Sequence, residues 1–274
     1  MLRATPCGAV TRYDLARSLA GKGRYWTTAY LVDGLLVDTG CAHTAAQFAQ
    51  ELRDITISRV VNTHSHEDHI GANGLLQRLH SDLKILAHPL AVPVLVDPRH
   101  KQLLHPYQRL FWGWPQACKA QPVNDGQLIA TQNYQFQVIY TAGHSPDHIC
   151  LYEPDQGWLF TGDLFVGGKD RALRAGYDIW GIIASLKRVA SLPLQSLFPG
   201  SASIPEDPLT ALQQKISYLE QLGARALALH QKGWSTSAIT RELCGKSLWV
   251  EWVTLGHFSR RRLVLSFLGQ NHEH

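Results

Sequence analysis

Cysteine is scarce in this sequence and is not arranged for cross-linking. The 274 residues contain an odd number of cysteines, and no two of them form a Cys-x-x-Cys pair. A chain of this length with such spacing is not expected to rest on a disulfide framework, and it fits a reducing compartment. The five cysteines are Cys7, Cys41, Cys118, Cys150 and Cys244.

Long apolar runs are also missing. No stretch approaches the roughly 18 consecutive apolar residues of a transmembrane helix. Residues 1–25 contain no apolar run of signal-peptide length. We therefore expect a cytoplasmic protein without a membrane partner.

Charge is limited too. Charged residues make up 18% of the chain, and the formal net charge is only +4. This excess is too small to indicate nucleic-acid binding. What the chain does have is a 45% hydrophobic content and 14 histidines. Its length fits one large domain, or one domain with a small appendage, around a hydrophobic core.

Short strands alternate with loops that carry polar residues. Asp33-Gly34 between two β-rich runs predicts a hairpin. The mixture of hairpins and strand–helix units predicts sheets covered by helices on their outer faces. The predicted strands are residues 25–32, 35–37, 57–62, 84–87, 135–140, 149–152, 158–160 and 196–198, and the predicted helices are residues 43–53, 71–80 and 179–191.

The sequence becomes helical beyond about residue 205. Amphipathic spacing and Gly breaks predict three helices there, over residues 211–231, 236–243 and 259–268. We therefore divide the chain into a catalytic domain of residues 1–205 and a C-terminal helical module of residues 206–274. The closing histidines His272 and His274 lie in a polar tail and are not expected to be functional.

Residues 63–69, Thr-His-Ser-His-Glu-Asp-His, concentrate metal-ligand side chains in one short segment. His64 and His66 are two residues apart at the end of a predicted strand, so their side chains share one face. Asp68 and His69 follow, and Gly71 predicts a turn that re-aims them toward a neighbouring point. Three imidazoles and a carboxylate at this spacing suit Zn²⁺, Fe²⁺ or Mn²⁺. Burying them without a partner would be costly, which argues against a purely structural role.

The pattern His64-x-His66-x-Asp68-His69 resembles the signature of the metallo-β-lactamase-fold hydrolases. Asp38-Thr39-Gly40, residues 141–148 and Phe160-Thr161-Gly162-Asp163 resemble further segments of that family in the same order. The resemblance covers about residues 20–205. Within that family, the chain is similar to glyoxalase II-like or β-lactamase-like hydrolases with a C-terminal helical domain. It implies an α/β (α+β) fold, a four-layer αββα sandwich with a small all-helical C-terminal appendage.

The resemblance also implies two metal sub-sites. The first ion would be held by His64, His66 and His144, and the second by Asp68, His69 and Asp163, with Asp163 bridging. Metal-bound hydroxide would be the nucleophile. Asp68 would orient it or pass a proton to the leaving group. Asp38 would fix the loop or a ligand imidazole.

One position departs from the family pattern. Where the family usually has a last histidine after Pro-Gly, this chain has Ser201. Serine is a poor ligand for these ions, so the expected number of bound ions is one or two. The expected ion is Zn²⁺, with Fe²⁺ or Mn²⁺ as alternatives. The site is mononuclear, or dinuclear with water or Ser201 completing the shell, or completed by another histidine. His257 is the candidate for that last case.

Residues 89–122 form a long aromatic insert between two predicted strands. Such loops are often lids, so we expect a substrate-shaping cap or a homodimer contact, with plain core packing as the alternative. Tyr177 is a candidate to hydrogen-bond a substrate carbonyl. The basic residues of 167–174 either contact an anionic substrate end or form a solvated loop. His148 is expected beside the site or at the surface.

The leading hypothesis is metal-dependent hydrolysis of an ester, thioester or related acyl bond in a small-molecule substrate. A mononuclear iron dioxygenase of the same fold, acting on a thiol-derived substrate, is the second hypothesis, and a phosphodiesterase or nuclease is the third. Ser201 also motivates a non-catalytic metal-binding sensor or partner-binding module. Asp68 and Asp163 argue against that last hypothesis, because a binding relic has less need of both acids.

Overall fold

The first sheet occupies the N-terminal part of the chain. The computed structural model describes residues 1–270. His272 and His274, which are not expected to be functional, lie outside the described residues. The sheet has seven strands in sequence order, antiparallel up to β4 and parallel from there on. The strands are β1 (Leu2–Cys7), β2 (Val10–Leu19), β3 (Lys22–Val32), β4 (Leu35–Val37), β5 (Arg59–Val61), β6 (Lys84–Ala87) and β7 (Ala120–Pro122).

The predicted hairpin between β3 and β4 is present. Asp33 and Gly34 both have positive φ, 49° and 77°. A two-residue turn with both positions left-handed matches the twist of the strands, and Asp-Gly is a sequence that tolerates it. β1 and β2 were not predicted. β1 is an exposed edge strand that contains Pro6 and shows no alternation of apolar residues.

The second sheet has the order β13-β11-β10-β9-β8. Only β13 and β11 are parallel in it. Two further strands of two residues each, β12 and β14, pair with each other in a separate small sheet. The second sheet contains β8 (Leu128–Ala130), β9 (Gln135–Tyr140), β10 (Ile149–Glu153), β11 (Trp158–Gly162) and β13 (Ser196–Pro199), and the small pair contains β12 (Leu173–Arg174) and β14 (Phe258–Ser259).

Ten α-helices are described within residues 1–270, preceded in one case by a 3-10 turn at Ala42–Thr44. None of these helices is both long and apolar enough to cross a membrane. They are α1 (Ala45–Glu51), α2 (Asn73–Leu79), α3 (Val92–Val96), α4 (Pro98–Lys101), α5 (Pro106–Phe111), α6 (Ile179–Ala190), α7 (Pro208–Gln231), α8 (Thr236–Cys244), α9 (Trp249–Val253) and α10 (Arg260–Phe267).

Three buried clusters define four layers. Apolar side chains of both sheets, such as Tyr30 and Phe160, meet in the central cluster. A second cluster packs the outer face of the first sheet on α1 and α2, and includes Phe48 and Leu76. The third packs the second sheet on α6, α7, α8 and α10. This order is the predicted αββα sandwich, and each helix layer covers a face that would otherwise expose apolar surface.

The C-terminal helices share a core with the second sheet. Leu219 of α7 and Phe267 of α10 lie in the same buried cluster as Leu186 of α6. The tail also contains a strand, β14, so its residues are not all helical. The division at residue 205 stays a prediction. Residues 89–122 form three short helices and an edge strand rather than a bare loop, and a homodimer contact through them also stays a prediction.

Candidate metal centre

Asp38 organises the histidine-rich loop from the end of β4. Its Oδ1 accepts the Thr63 backbone N–H and its Oδ2 accepts the Thr63 hydroxyl, both at 2.8 Å. The same Oδ2 lies 2.8 Å from Nδ1 of His69. Asp38 has a left-handed φ of 61° and is 1% exposed. One buried carboxylate therefore holds both ends of the loop that runs from Thr63 to His69.

The backbone of His69 is held by a second set of contacts. The Thr39 N–H donates to the His69 carbonyl at 2.8 Å, and the Asn62 side-chain amide donates to it at 3.1 Å. Asn73, at the start of α2, donates to Asn62 at 2.7 Å. These polar groups are buried, so their hydrogen bonds keep the loop in one conformation. The histidine pattern in the sequence did not indicate that Asn62 and Asn73 support this loop.

Two groups of three side chains each bring one potential ligand atom within 4.8 Å of one another. The first group matches the predicted first sub-site. The second contains His64 where the resemblance implied Asp68, so His64 belongs to both. The groups are His64, His66 and His144, and His64, His69 and Asp163.

Asp68 borders the second group. Its Oδ2 lies 3.9 Å from Nε2 of His69, while Oδ2 of Asp163 lies 3.5 Å from the same nitrogen. Asp68 and Asp163 both line a cavity above the histidines. Asp68 is thus placed between the candidate ligands and the space where a substrate would bind. Its role as a ligand stays a prediction.

Unsatisfied nitrogens support a metal at this place. Nε2 of His64 and Nε2 of His69 are buried and have no hydrogen-bond partner of ordinary geometry among residues 1–270. Nε2 of His144 lies 3.0 Å from Nδ1 of His66. Buried polar atoms without partners are costly, and a divalent cation would satisfy them. The imidazole and carboxylate donors present fit such an ion.

The histidines of the first group are held neutral. Burial, reinforced by neighbouring positive groups, lowers the pKa of His64 and of His66 well below the ordinary value. Burial likewise lowers the pKa of His144 to about 3, although Asp163 opposes the shift. Neutral imidazole is the form that binds a metal ion.

The second group has the opposite electrostatics. Burial lowers the pKa of His69, but Asp163, Asp38 and Asp68 outweigh it and raise that pKa well above the ordinary value. Burial raises the pKa of Asp68 to about 7 against the opposing effect of His69. This excess of carboxylates beside one histidine is the environment that a cation would neutralise.

Ser201 occupies the position of the missing histidine. Its hydroxyl donates to Oδ1 of Asp163 at 2.8 Å. The preceding Gly200 lies so close that a Cβ there would be 2.9 Å from Oδ1 of Asp163 and 3.0 Å from Cε1 of His69. The end of β13 therefore contacts the second group directly, through a hydroxyl rather than an imidazole.

His257 lies outside both ligand groups found within residues 1–270. Its Nδ1 lies 2.8 Å from the Tyr107 hydroxyl, and its ring stacks on His105 with centroids 3.9 Å apart. These contacts with α5 and the residue before it occupy His257 away from the two groups, and its role as a substituting ligand stays a prediction.

Tyr177 lies beside the first group. Its hydroxyl is 3.3 Å from Nε2 of His144, and its ring stacks over His66 at 5.8 Å. Burial raises its pKa above the ordinary value, so the phenol keeps its proton at neutral pH. A protonated hydroxyl beside the candidate ligands can donate a hydrogen bond to a substrate oxygen.

Two further residues lie at the site, and one of them, Glu67, was not expected there from the sequence. His148 is fully buried rather than at the surface, and its Nε2 has no partner among the described residues. Its ring centroid is 5.1 Å from that of His64. Glu67 is fully buried and accepts hydrogen bonds from Gln108 at 2.6 Å and from Gln102 at 3.2 Å. Glu67 therefore ties the insert to the histidine loop, a link across about 40 residues that no local pattern indicates.

A cavity of about 570 Å³ opens above these side chains, a size typical of small-molecule sites. Its floor contains His66, Asp68, His144, Asp163 and Ser201. Its walls come from β3, from the insert and from the C-terminal segment. Three of the wall residues are Tyr25, Phe111 and Val250. The insert thus borders the candidate centre, as expected for a cap.

The chain belongs to the metallo-beta-lactamase superfamily, whose sequence pattern matches residues 27–214. A crystal structure of a metallo-beta-lactamase family protein from Thermus thermophilus superposes with a TM-score of 0.69 at 19% identity, covering 94% of this chain and 93% of that one. A beta-lactamase domain protein from Burkholderia ambifaria gives a TM-score of 0.67 at 17% identity, covering 98% and 84%. At these identities the likeness shows the fold alone.

Two relatives in sequence carry the names of hydrolases. A hydroxyacylglutathione hydrolase of Legionella pneumophila (strain Paris) is 32% identical over 149 residues, which cover 53% of this chain and 49% of that protein. Thioesterase pkgB of Emericella nidulans is 30% identical over 236 residues, covering 78% and 59%. The chain matches about half the length of the Legionella relative, so that protein's activity is not transferred by the match itself.

Proposed function

We propose that this chain is a metal-dependent hydrolase of an ester, thioester or related acyl bond in a small-molecule substrate. The observation that carries the proposal is the pair of ligand groups sharing His64 beneath a cavity of about 570 Å³. The names of the two sequence relatives agree with it. The unpaired cysteines, four of them buried, support a cytoplasmic location.

Zinc is the proposed ion, and iron or manganese would fit the same nitrogen and oxygen donors. His64, His66 and His144 would hold one ion, and His69 and Asp163 would hold a second together with His64 or Asp68. A bound ion of this kind polarises a carbonyl and lowers the pKa of water, so that water becomes a nucleophile near neutral pH.

Asp68 is the proposed general base and acid. Its side chain lies in the cavity floor, and burial raises its pKa to about 7. A carboxyl group whose pKa is near neutral pH can accept a proton from attacking water and return it to the leaving oxygen or sulfur. Tyr177 would donate a hydrogen bond to the substrate carbonyl oxygen, since its protonated hydroxyl lies on the same floor beside His144.

A mononuclear iron dioxygenase is the second candidate, and Ser201 is the observation that favours it. The Ser201 hydroxyl binds Asp163, and a hydroxyl holds a divalent ion less well than an imidazole. One ion with free positions would then suit oxygen chemistry on a thiol-derived substrate.

Metal analysis and turnover separate these candidates. The protein is purified, stripped with a chelator and reloaded with Zn²⁺, Mn²⁺ or Fe²⁺, and each form is assayed with acyl esters, acyl thioesters and an oxygen electrode. We expect hydrolysis only in loaded forms, and a loss of about 100-fold or more in kcat for Asp68→Asn. The matched control is His100→Ala, whose side chain is 82% exposed in the insert. Full hydrolysis after stripping, or oxygen uptake without hydrolysis, contradicts the proposal.

A further inference from the structure

The cavity walls are far more apolar than its floor. The aromatic residues that line it include Tyr25, Trp26, Tyr107, Phe111 and Trp112, and valines of the C-terminal segment line it as well. They come from three parts of the chain that are distant in sequence. Resting on the proposed hydrolase function, we propose that the substrate carries a bulky apolar acyl group with an anionic oxygen, and that Arg174 binds that oxygen.

A bulge in the first sheet directs one wall toward the cavity. β2 and β3 pair at Leu15 with Thr27 and at Arg17 with Arg24, so the single residue between them on β2 faces two residues on β3. Those two are Tyr25 and Trp26, and Tyr25 has a left-handed φ of 53°. A regular strand would alternate adjacent side chains between faces, whereas here both residues border the cavity. A strained non-glycine residue held in place next to a site is a feature that function often explains.

The insert provides the second wall. Tyr107 and Phe111 are four residues apart on α5 and therefore share one helix face. The rings of Phe111 and Tyr25 are 4.4 Å apart in an edge-on arrangement. α5 is anchored from below, because Gln108 donates to the buried Glu67 at 2.6 Å. This wall is thus held in position by the histidine loop itself.

The third wall comes from the C-terminal segment. Val250, Val253 and Thr254 line the cavity with the spacing of one face of α9. On the other side of that helix, Trp252 is 77% exposed. The pairing of β12 with β14 joins this segment to the strand that contains Arg174. Three apolar walls around one space fit an apolar body, since burying it removes both surfaces from water.

Arg174 is the positive group on this wall. It lines the cavity, and its Cζ lies 6.0 Å from the Tyr177 ring centroid. Among residues 1–270, no carboxylate lies within 4.0 Å of its guanidinium, although ten other ion pairs are present. Asp170, which also lines the cavity, is paired with Lys215 at 2.7 Å. A guanidinium in a cavity without a carboxylate partner is suited to bind an anionic oxygen of a ligand.

The acyl preference is tested with thioesters of one thiol, N-acetylcysteamine, on the metal-loaded full chain. The acyl groups are acetyl, 2-naphthoyl and 6-carboxy-2-naphthoyl. We expect kcat/KM to rise by at least about tenfold from acetyl to naphthoyl, because of the added buried apolar area, and again with the carboxylate. Phe111→Ala should lower the naphthoyl-to-acetyl ratio by about fivefold or more. The matched control is Leu103→Ala, at an 88% exposed insert residue that does not line the cavity.

Arg174 is tested by the ratio between the two naphthoyl thioesters. Arg174→Gln should remove the advantage of the carboxylate, and Arg174→Lys should restore part of it. Binding of naphthalene-2,6-dicarboxylate, measured by quenching of tryptophan fluorescence, gives a readout independent of turnover and should weaken about tenfold in Arg174→Gln, whereas binding of 2-naphthoate should not change. In the test of the acyl preference, Phe111→Leu replaces Phe111→Ala if the alanine variant does not fold.

The outcomes separate the inference from the proposed function. Rapid turnover of acetyl or of a small hydroxyacyl glutathione thioester, with naphthoyl thioesters hydrolysed no faster, overturns the acyl preference and leaves the hydrolase standing. An unchanged carboxylate ratio in Arg174→Gln overturns the role of Arg174. If no ester or thioester is hydrolysed by any loaded form, the proposed function itself fails.

Discussion

Oδ2 of Asp38 lies 2.8 Å from Nδ1 of His69, and both side chains are buried. This contact determines which nitrogen of His69 faces His64 and Asp163. With Nδ1 engaged, Nε2 is the atom presented to the second ligand group. A carboxylate that orients a ligand imidazole in this way also raises its basicity. Asp38 therefore acts on the candidate centre without lining the cavity.

Asp38→Asn is expected to weaken metal binding by about 10- to 100-fold, a range typical of lost orienting carboxylates. The amide can still accept the Thr63 N–H, so the fold should persist while the imidazole loses its charged partner. Competition with a chromophoric chelator measures the affinity.

The matched control for this change is Asp33→Asn. Asp33 also has a left-handed backbone and also accepts a backbone N–H, that of Asn133 at 2.6 Å, but it lies in the exposed hairpin turn. Equal metal affinities in Asp38→Asn and Asp33→Asn would refute the role of Asp38.

His64 is the side chain shared by both ligand groups. His64→Ala should therefore reduce metal content at both positions, whereas His66→Ala should affect the first group and leave His69 and Asp163 able to bind. Metal per chain is measured by elemental analysis after equilibration at a fixed free-metal concentration. His100→Ala, at an exposed histidine of the insert, should match the unmodified protein. A larger loss in His66→Ala than in His64→Ala would show that the groups are not shared in this way.

Ser201→His is expected to raise the metal content toward two ions per chain. Serine contributes only a hydroxyl that binds Asp163 at 2.8 Å, and an imidazole is a far better ligand for zinc. Ser201→Ala is the matched variant, since it removes the hydroxyl without adding a ligand, and its metal content should not rise. Titration with zinc under elemental analysis gives the stoichiometry. No gain in Ser201→His relative to Ser201→Ala would mean that this position does not reach the second group.

The candidate ligands were largely accessible from sequence because their signal is local. His64, His66, Asp68 and His69 lie within six residues, and an extended segment followed by a turn brings such side chains together. His144 and Asp163 required the resemblance to a family. Both follow strands of the second sheet, whereas the histidine loop follows β5 of the first sheet. Their placement beside that loop therefore depends on both sheets, and no spacing within one segment contains that information.

Residues whose role depends on packing between distant segments were not accessible. The contact of His257 with Tyr107 spans 150 residues, and the burial of His148 depends on its neighbours in the folded sheets. Tyr25 borders the cavity because of a bulge, which a simple alternation of apolar residues does not reveal. β1 was missed for another reason, since an exposed edge strand buries too few side chains to show a pattern.

Gly71→Ala should destabilise the fold by about 3 kcal/mol or more. A Cβ at Gly71 would lie about 2.2 Å from the backbone carbon of Cys41 and 2.3 Å from the Ala42 nitrogen, so backbone would have to move. Gly126→Ala is the control, because its φ of 76° is unfavourable for alanine but nothing lies within 4 Å. It should cost only about 1 kcal/mol. Urea unfolding measures both, and similar losses would contradict the close approach at Gly71.

The protein should lose stability as the pH decreases, in part because of the titration of His257. Burial, followed by the charge of Arg174, lowers its pKa from 6.5 to about 4. As the pH falls, the unfolded chain therefore takes up this proton first, so the contribution is present above about pH 6.5 and is lost progressively toward pH 4. His257→Gln, whose amide can still bind the Tyr107 hydroxyl, removes that titration. The difference in unfolding free energy between the unmodified protein and His257→Gln should then shift by about 1–2 kcal/mol between pH 7 and pH 5, in favour of the variant at pH 5. Other buried histidines are common to both proteins and cancel in this difference. Urea unfolding at the two pH values measures it, and a difference that does not change with pH would show that His257 is not held neutral by the fold.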